Sequence, residues 1–189
     1  MCASFSKALR VAITLALCGT WISGPSAIHA KPPISPEYII KAAYIYNFAM
    51  FVEWPPDAFA RDDAPIVIGI VGADPFGSAL EETVRDKRVN RKRFVIKRVQ
   101  GGQDLRDCHI VFFNSAESER LGEIPNQLRG LPVLLVGEGP AFAKRGGMIN
   151  FVLENKRVLC EINVAAAKRA RLAIDSKLLS IAKIVDAVI

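Results

Sequence analysis

The chain has 189 residues, 51% of them hydrophobic, with 25 Lys and Arg against 19 Asp and Glu and a net charge of +6. Beyond Ala30 no segment runs the roughly 20 residues needed to cross a bilayer without meeting a charge or a proline, which speaks against an integral membrane protein. The modest basic balance suits solubility or an acidic partner.

At the N-terminus, Lys7 and Arg10 precede an acid-free apolar run, Val11 to Ile22, followed by a Gly-Pro-Ser break and Ile28-His29-Ala30. This is the pattern of a secretory signal peptide over residues 1–30, with an apolar stretch too short to span a membrane. The large Leu17 before Cys18 disfavours lipoprotein attachment there. Residues 31–189 are then one exported, soluble domain of ordinary size, carrying +4 once Lys7 and Arg10 are gone. Nucleic acid is not an expected partner in that compartment. Cys108 and Cys160 are the cysteines that remain. They either form a disulfide closing a loop of about fifty residues, stabilising by roughly 4 kcal/mol before strain, or stay as two buried thiols.

Ser35, Pro36 and Glu37 predict the start of a helix running to about Val52, with Ser35 as its cap. Ile40, Tyr44, Phe48 and Phe51 share one face, and Ala43, Ile45, Ala49 and Met50 make much of the rest apolar, so the helix is expected to pack on more than one side. Its aromatic cluster reads as core, with Tyr46 and Trp54 as the positions left for a dimer or partner contact. Strand "PIVIGIVG" follows, then a helix from Asp74 to about Val84 with Asp74 as cap, strand "RFVIKRVQ", strand "HIVFFN", helix "SAESERLGEIPNQL" and strand "LPVLLVG". Alternating strands and helices predict a three-layer α/β sandwich, a mostly parallel sheet covered by helices on both faces. Next come a short helix in "GPAFAKRGG" and an antiparallel hairpin at the sheet edge, "MINFVLENKRVLCEIN", turning at "ENK". Two helices close the chain, Val164 to Leu172 capped by Asn163, and Lys177 to Val188 capped by Asp175 or Ser176.

Little here points to bond-making chemistry. "GADPFGS" has the glycine spacing of a phosphate-binding loop but Ser78 in place of its lysine. His109 is the one histidine after the leader, and Cys108 beside it points to the other face of a strand, so no metal set is evident. No G-x-S-x-G elbow is present. The run Arg85 to Arg98 carries eight basic residues and one acid. It reads either as a solvated loop and guarded edge strand or as a surface for anionic lipid or an acidic protein. Asn150, Glu161 and Asn163 lie at strand ends and a helix start, where they cap backbone groups or frame a recognition surface.

The motifs "KAAYIYNFAMFVEWP", "VGADPFG", "CHIVFF", "GGMINF" and "EINVAAAKRARLAIDSKLLSIAKIV" together resemble the YfiR family of exported bacterial proteins, also called HmsC-like, over Pro36 to Val188. The resemblance implies a periplasmic α/β sandwich with no known catalytic activity, and no cofactor or metal is expected from the residues. It implies a repressor of an inner-membrane diguanylate cyclase, bound through the cyclase's periplasmic part, with an outer-membrane lipoprotein as antagonist and cyclic-di-GMP and biofilm as the output. Family members often carry a cysteine at the position of Gly69 that bonds to the one at Cys108, and an aromatic where Cys160 stands. Arg169 to Arg171 are more basic than the family's usual helix. The partner-binding residues expected on this reading are Asn150, Phe151, Glu161, Asn163 and Lys177, and a homodimer stays open. The competing reading is a small-molecule sensor or solute binder, with its pocket near Gly72–Gly77 and Gly137–Gly139 at the strand ends.

Overall fold

The computed structural model describes residues 34–100, 105–120 and 128–186. The expected signal peptide, 1–30, lies outside the described residues, as do 121–127 of the predicted third helix. Helix α1, Pro36–Phe51, begins with Pro36 at its first position. Ser35 caps it only through its carbonyl, which accepts from Tyr38 N–H at 2.9 Å. The buried stripe is Lys41, Ala42, Ile45, Phe48 and Ala49, offset from the expected one. Ile39, Ile40 and Met50 are exposed, so α1 packs on one side and not all round. The offset arises because Lys41 faces inward, where it has a carboxylate partner.

Strands β2 (Ile66–Val71), β3 (Phe94–Val99), β4 (Ile110–Phe113), β5 (Leu134–Glu138), β6 (Ile149–Glu154), β7 (Arg157–Ile162) and β9 (Lys183–Ile184) form one sheet in the order β3-β2-β4-β5-β6-β7-β9. All neighbours are parallel except β6 and β7. β4 and β5 are buried at every residue, as the unbroken apolar runs of doubly covered parallel strands require. A second, two-stranded sheet joins β1 (Val52–Glu53), directly after α1, to β8 (Ala173–Ile174). Successive residues alternate faces. Phe151 meets α1, where Phe48 stacks on it at 5.7 Å, and Phe112 lies beside Phe151 on the same face. Phe113, on the opposite face, meets Phe142 at 5.8 Å.

Several local expectations are corrected. α2 spans Ala79–Val84, later than predicted, because Gly77 has φ +62° and cannot sit inside a helix. Asp74 closes the preceding turn instead of capping, its Oδ1 accepting from Phe76 N–H at 2.8 Å. α3 is Ser115–Arg120 over its described part. The β6–β7 hairpin turns at Asn155-Lys156, both with positive φ, the two-residue turn matched to strand twist. It is not the sheet edge. The chain after α4 (Val164–Arg169) and α5 (Ser176–Leu179) lays β9 along β7. The long final helix predicted over Lys177–Val188 is thus a single turn, because the open hydrogen-bonding edge of β7 captures the β-branched "KIV" segment. Cys108 and Cys160 are buried thiols. Cys160 lies on β7 and Cys108 just before β4, three strands apart in the sheet, about 14 Å at ordinary strand spacing and beyond the reach of a disulfide. Neither is bonded to the other, which removes that reading of the pair.

Candidate functional site

One register row crosses β4 to β9 through Phe113, Gly137, Asn150, Glu161 and Lys183. Asn150, 2% exposed, donates through Nδ2 to Glu161 Oε2 at 3.2 Å. Glu161 in turn accepts from Lys183 Nζ at 3.2 Å. Lys183 is exposed, and Ile184 beside it and Ile181 on the preceding turn are exposed apolar side chains. Asn150 Oδ1 is buried and finds no donor among the described residues. The row therefore grades from the buried sheet centre to a mixed aliphatic and charged rim at its edge.

The other sequence-predicted residues divide. Phe151 lies on the opposite face of the sheet, 3% exposed beneath α1. Asn163 is fully buried. Its Oδ1 accepts from Ala166 N–H at 2.9 Å and its Nδ2 donates to Ala143 carbonyl at 2.8 Å, so it caps α4 and ties it to the short turn Ala143–Arg145. Lys177 is exposed at the start of α5, where Asp175 Oδ1 accepts from its backbone N–H. Asn150 and Glu161 are joined, Lys177 belongs to the segment leading into β9, and Phe151 and Asn163 are interior.

Sequence reasoning did not foresee the adjacent row, Glu138, Phe151 and Cys160, which faces α1. Lys41 Nζ bonds both Glu138 and Glu37 and stands over the Tyr38 ring, 4.6 Å from its centroid. Glu138 Oε1 also accepts from Tyr38 Oη at 2.9 Å and Ser115 N–H at 3.3 Å. Burial, and then the Glu138 charge, raise the Tyr38 pKa, keeping the phenol a donor. Burial alone pushes the Cys160 thiol up to about 12, so it is inert as a nucleophile. A buried ion pair, Lys41 with Glu138, holds α1 to the sheet.

At the strand ends of the alternative reading, side chains from the following segment cross the described part of the crevice. Asn114 Nδ2 donates to Ala73 carbonyl at 2.8 Å across the β2–β4 switch point, and the Glu117 side chain packs beneath Gly72. At Gly137, an added Cβ would lie 2.8 Å from the Phe142 ring, which covers that position. His109 is equally committed. Its Nδ1 accepts from Val67 N–H at 3.1 Å, its Nε2–H donates to Ala58 carbonyl at 3.2 Å, and its ring stacks on Phe59 at 4.2 Å. Burial lowers its pKa. Both nitrogens are used, Nδ1 on β2 and Nε2 in holding the 56–60 loop. Among the described residues no three His, Cys, Asp or Glu side chains group as a metal site, and no helix is long and apolar enough to cross a membrane.

Fold and site together define a doubly wound α/β sandwich whose buried polar groups serve packing and whose distinctive surface is a charged, aliphatic sheet edge. The chain belongs to the YfiR/HmsC-like family, whose model matches residues 38–183. No curated protein sequence matches it.

Proposed function

We propose that this is a periplasmic regulatory protein that acts by binding, repressing a membrane diguanylate cyclase through the cyclase's periplasmic part and so lowering cyclic-di-GMP and biofilm formation. The observation that carries the reading is the family match over 38–183. Export rests on the signal-peptide pattern of residues 1–30. The committed state of His109 and the high thiol pKa of Cys160 support binding over catalysis.

The docking surface is the β7–β9 edge with the start of α5, comprising Glu161, Lys177, Lys183, Ile181 and Ile184. Exposed aliphatic side chains beside charged ones at a sheet edge offer a partner apolar area together with polar contacts. Asn150 supports this surface by positioning Glu161, while Phe151 and Asn163 support it from the interior. An outer-membrane lipoprotein that competes for the same surface would relieve repression by sequestration. The solute-binder alternative needs a crevice at Gly72–Gly77, and the Asn114 bridge and the Glu117 side chain argue against it. The test is cellular cyclic-di-GMP in a deletion strain complemented with the wild-type gene. Restoration of a low level supports the reading, and no difference between deletion and complemented strains refutes it.

A further inference from the structure

Independently of that edge, the opposite edge of the sheet carries a second surface. β3 pairs with β2 alone among the described strands. The carbonyls of Arg93 and Val99 accept from Ile66 and Gly72 on the β2 side, at 2.8 and 3.0 Å. Main-chain groups alternate along a strand, so those of Phe94, Ile96 and Arg98 open outward. These three residues also line a cavity of about 520 Å³ together with Arg85, Arg88 and Arg93. Its floor is apolar, with Phe94 held against Tyr46 at 5.8 Å and Tyr46 beneath the Lys87 ammonium at 4.4 Å.

The cations differ in their commitments. Arg98 is engaged by Asp74 at 2.6 Å and by Glu81. Arg88 reaches only the Arg91 carbonyl, at 3.4 Å. Arg85 and Arg93, both exposed, form no ion pair among the described residues, while two acids, Asp86 and the Arg98-bound Glu81, share the cavity lining with five basic side chains. Charge that merely guards an edge against pairing needs no cavity and no apolar floor. Here the charge surrounds both, beside a row of outward backbone donors and acceptors.

We propose that the outer edge of β3 binds an extended, acidic segment of a protein partner by strand addition. The partner's backbone pairs with Phe94, Ile96 and Arg98, its alternate apolar side chains enter the cavity, and its carboxylates meet Arg85 and Arg93. Strand addition draws affinity from main-chain hydrogen bonds and selectivity from side-chain pockets, and guanidinium–carboxylate contacts supply charge-assisted bonds. A lipid surface would meet the arginines but could not use the outward main-chain groups.

The test probe is a fluorescein-labelled peptide of about eight residues alternating glutamate with valine, long enough to span β3. Saturable binding is expected, with slowed amide hydrogen exchange at Phe94 and Ile96. Affinity should fall about tenfold or more when Arg85→Glu and Arg93→Glu are combined, two exposed changes whose effect on folding is checked by circular dichroism. A peptide N-methylated at alternate amides should bind equally weakly. The proposal is overturned by absence of saturation at millimolar peptide, by equal affinity for the N-methylated peptide, or by binding that leaves the Phe94 and Ile96 amides unchanged. Retention by phosphatidylglycerol vesicles or by inorganic pyrophosphate without peptide binding also overturns it, reassigning the surface to lipid or to free phosphate.

Discussion

Two polar rows cross the same sheet one residue apart and behave differently. Glu138 and its partners face α1, where Lys41 is 3% exposed and Lys41 and Glu138 each have two or more bonds. Asn150, Glu161 and Lys183 face the other way and run out to an exposed edge. Because side chains alternate with a period of two, a one-residue step exchanges a buried anchor for an accessible surface. Similar functional groups serve stability in one row and are available to a partner in the other. The difference is burial and not chemistry.

The largest expected effect separates the rows directly. Lys41→Met or Glu138→Met leaves an uncompensated charge under α1 and should lower unfolding free energy by about 3–5 kcal/mol. Combining Lys41→Met with Glu138→Met should recover much of that loss, since an apolar pair of similar volume needs no desolvated charge. Urea unfolding of the four proteins checks this, and additive losses would show that the two side chains are not coupled.

The next effect concerns Gly69, whose added Cβ would lie 3.6 Å from Cys108 Cβ and 2.8 Å from its Sγ. That Cβ separation is within the disulfide range, so Gly69→Cys should oxidise onto Cys108, which β7's Cys160 is too distant to do. The bridge should stabilise by up to about 4 kcal/mol less strain, read as a melting difference between oxidised and reduced protein.

A smaller effect is pH-dependent. Because burial lowers the His109 pKa, the unfolded chain binds a proton more readily than the folded one. The stabilisation from neutral His109 is complete above the unfolded value of about 6.5 and is lost as pH falls below it through the folded value. Stability measured by urea between neutral and mildly acidic pH should decline accordingly, and His109→Gln should remove that part of the slope. The smallest effect is at the edge itself. Lys183→Glu should change stability by no more than about 1 kcal/mol, because its exposed ion pair is weak.

Much of the fold was legible because its signals are local. Unbroken apolar runs marked β4 and β5, Asn163 marked the start of α4, and "ENK" marked the hairpin turn. The Lys41–Glu138 pair was not legible. A lysine in a helix reads as solvent-facing until a carboxylate 97 residues away is brought beneath it. β9 was hidden for a related reason, since its helical periodicity yields to hydrogen bonds with a strand edge that exists only in the folded sheet. Of the candidate site, the segment was legible but its face was not. Phe151 and Asn150 are neighbours on one strand and so face opposite sides, but only the folded sheet shows which of the two sides α1 covers.

The most direct measurement is the affinity of the purified protein for the periplasmic part of the membrane diguanylate cyclase proposed as its partner, comparing wild type with a variant combining Glu161→Lys, Lys177→Glu and Ile184→Asp. Tight binding by wild type and loss of about a hundredfold or more in the variant, with unchanged melting, is the predicted result. Equal affinity in two well-folded proteins would contradict the assignment of regulation to this edge.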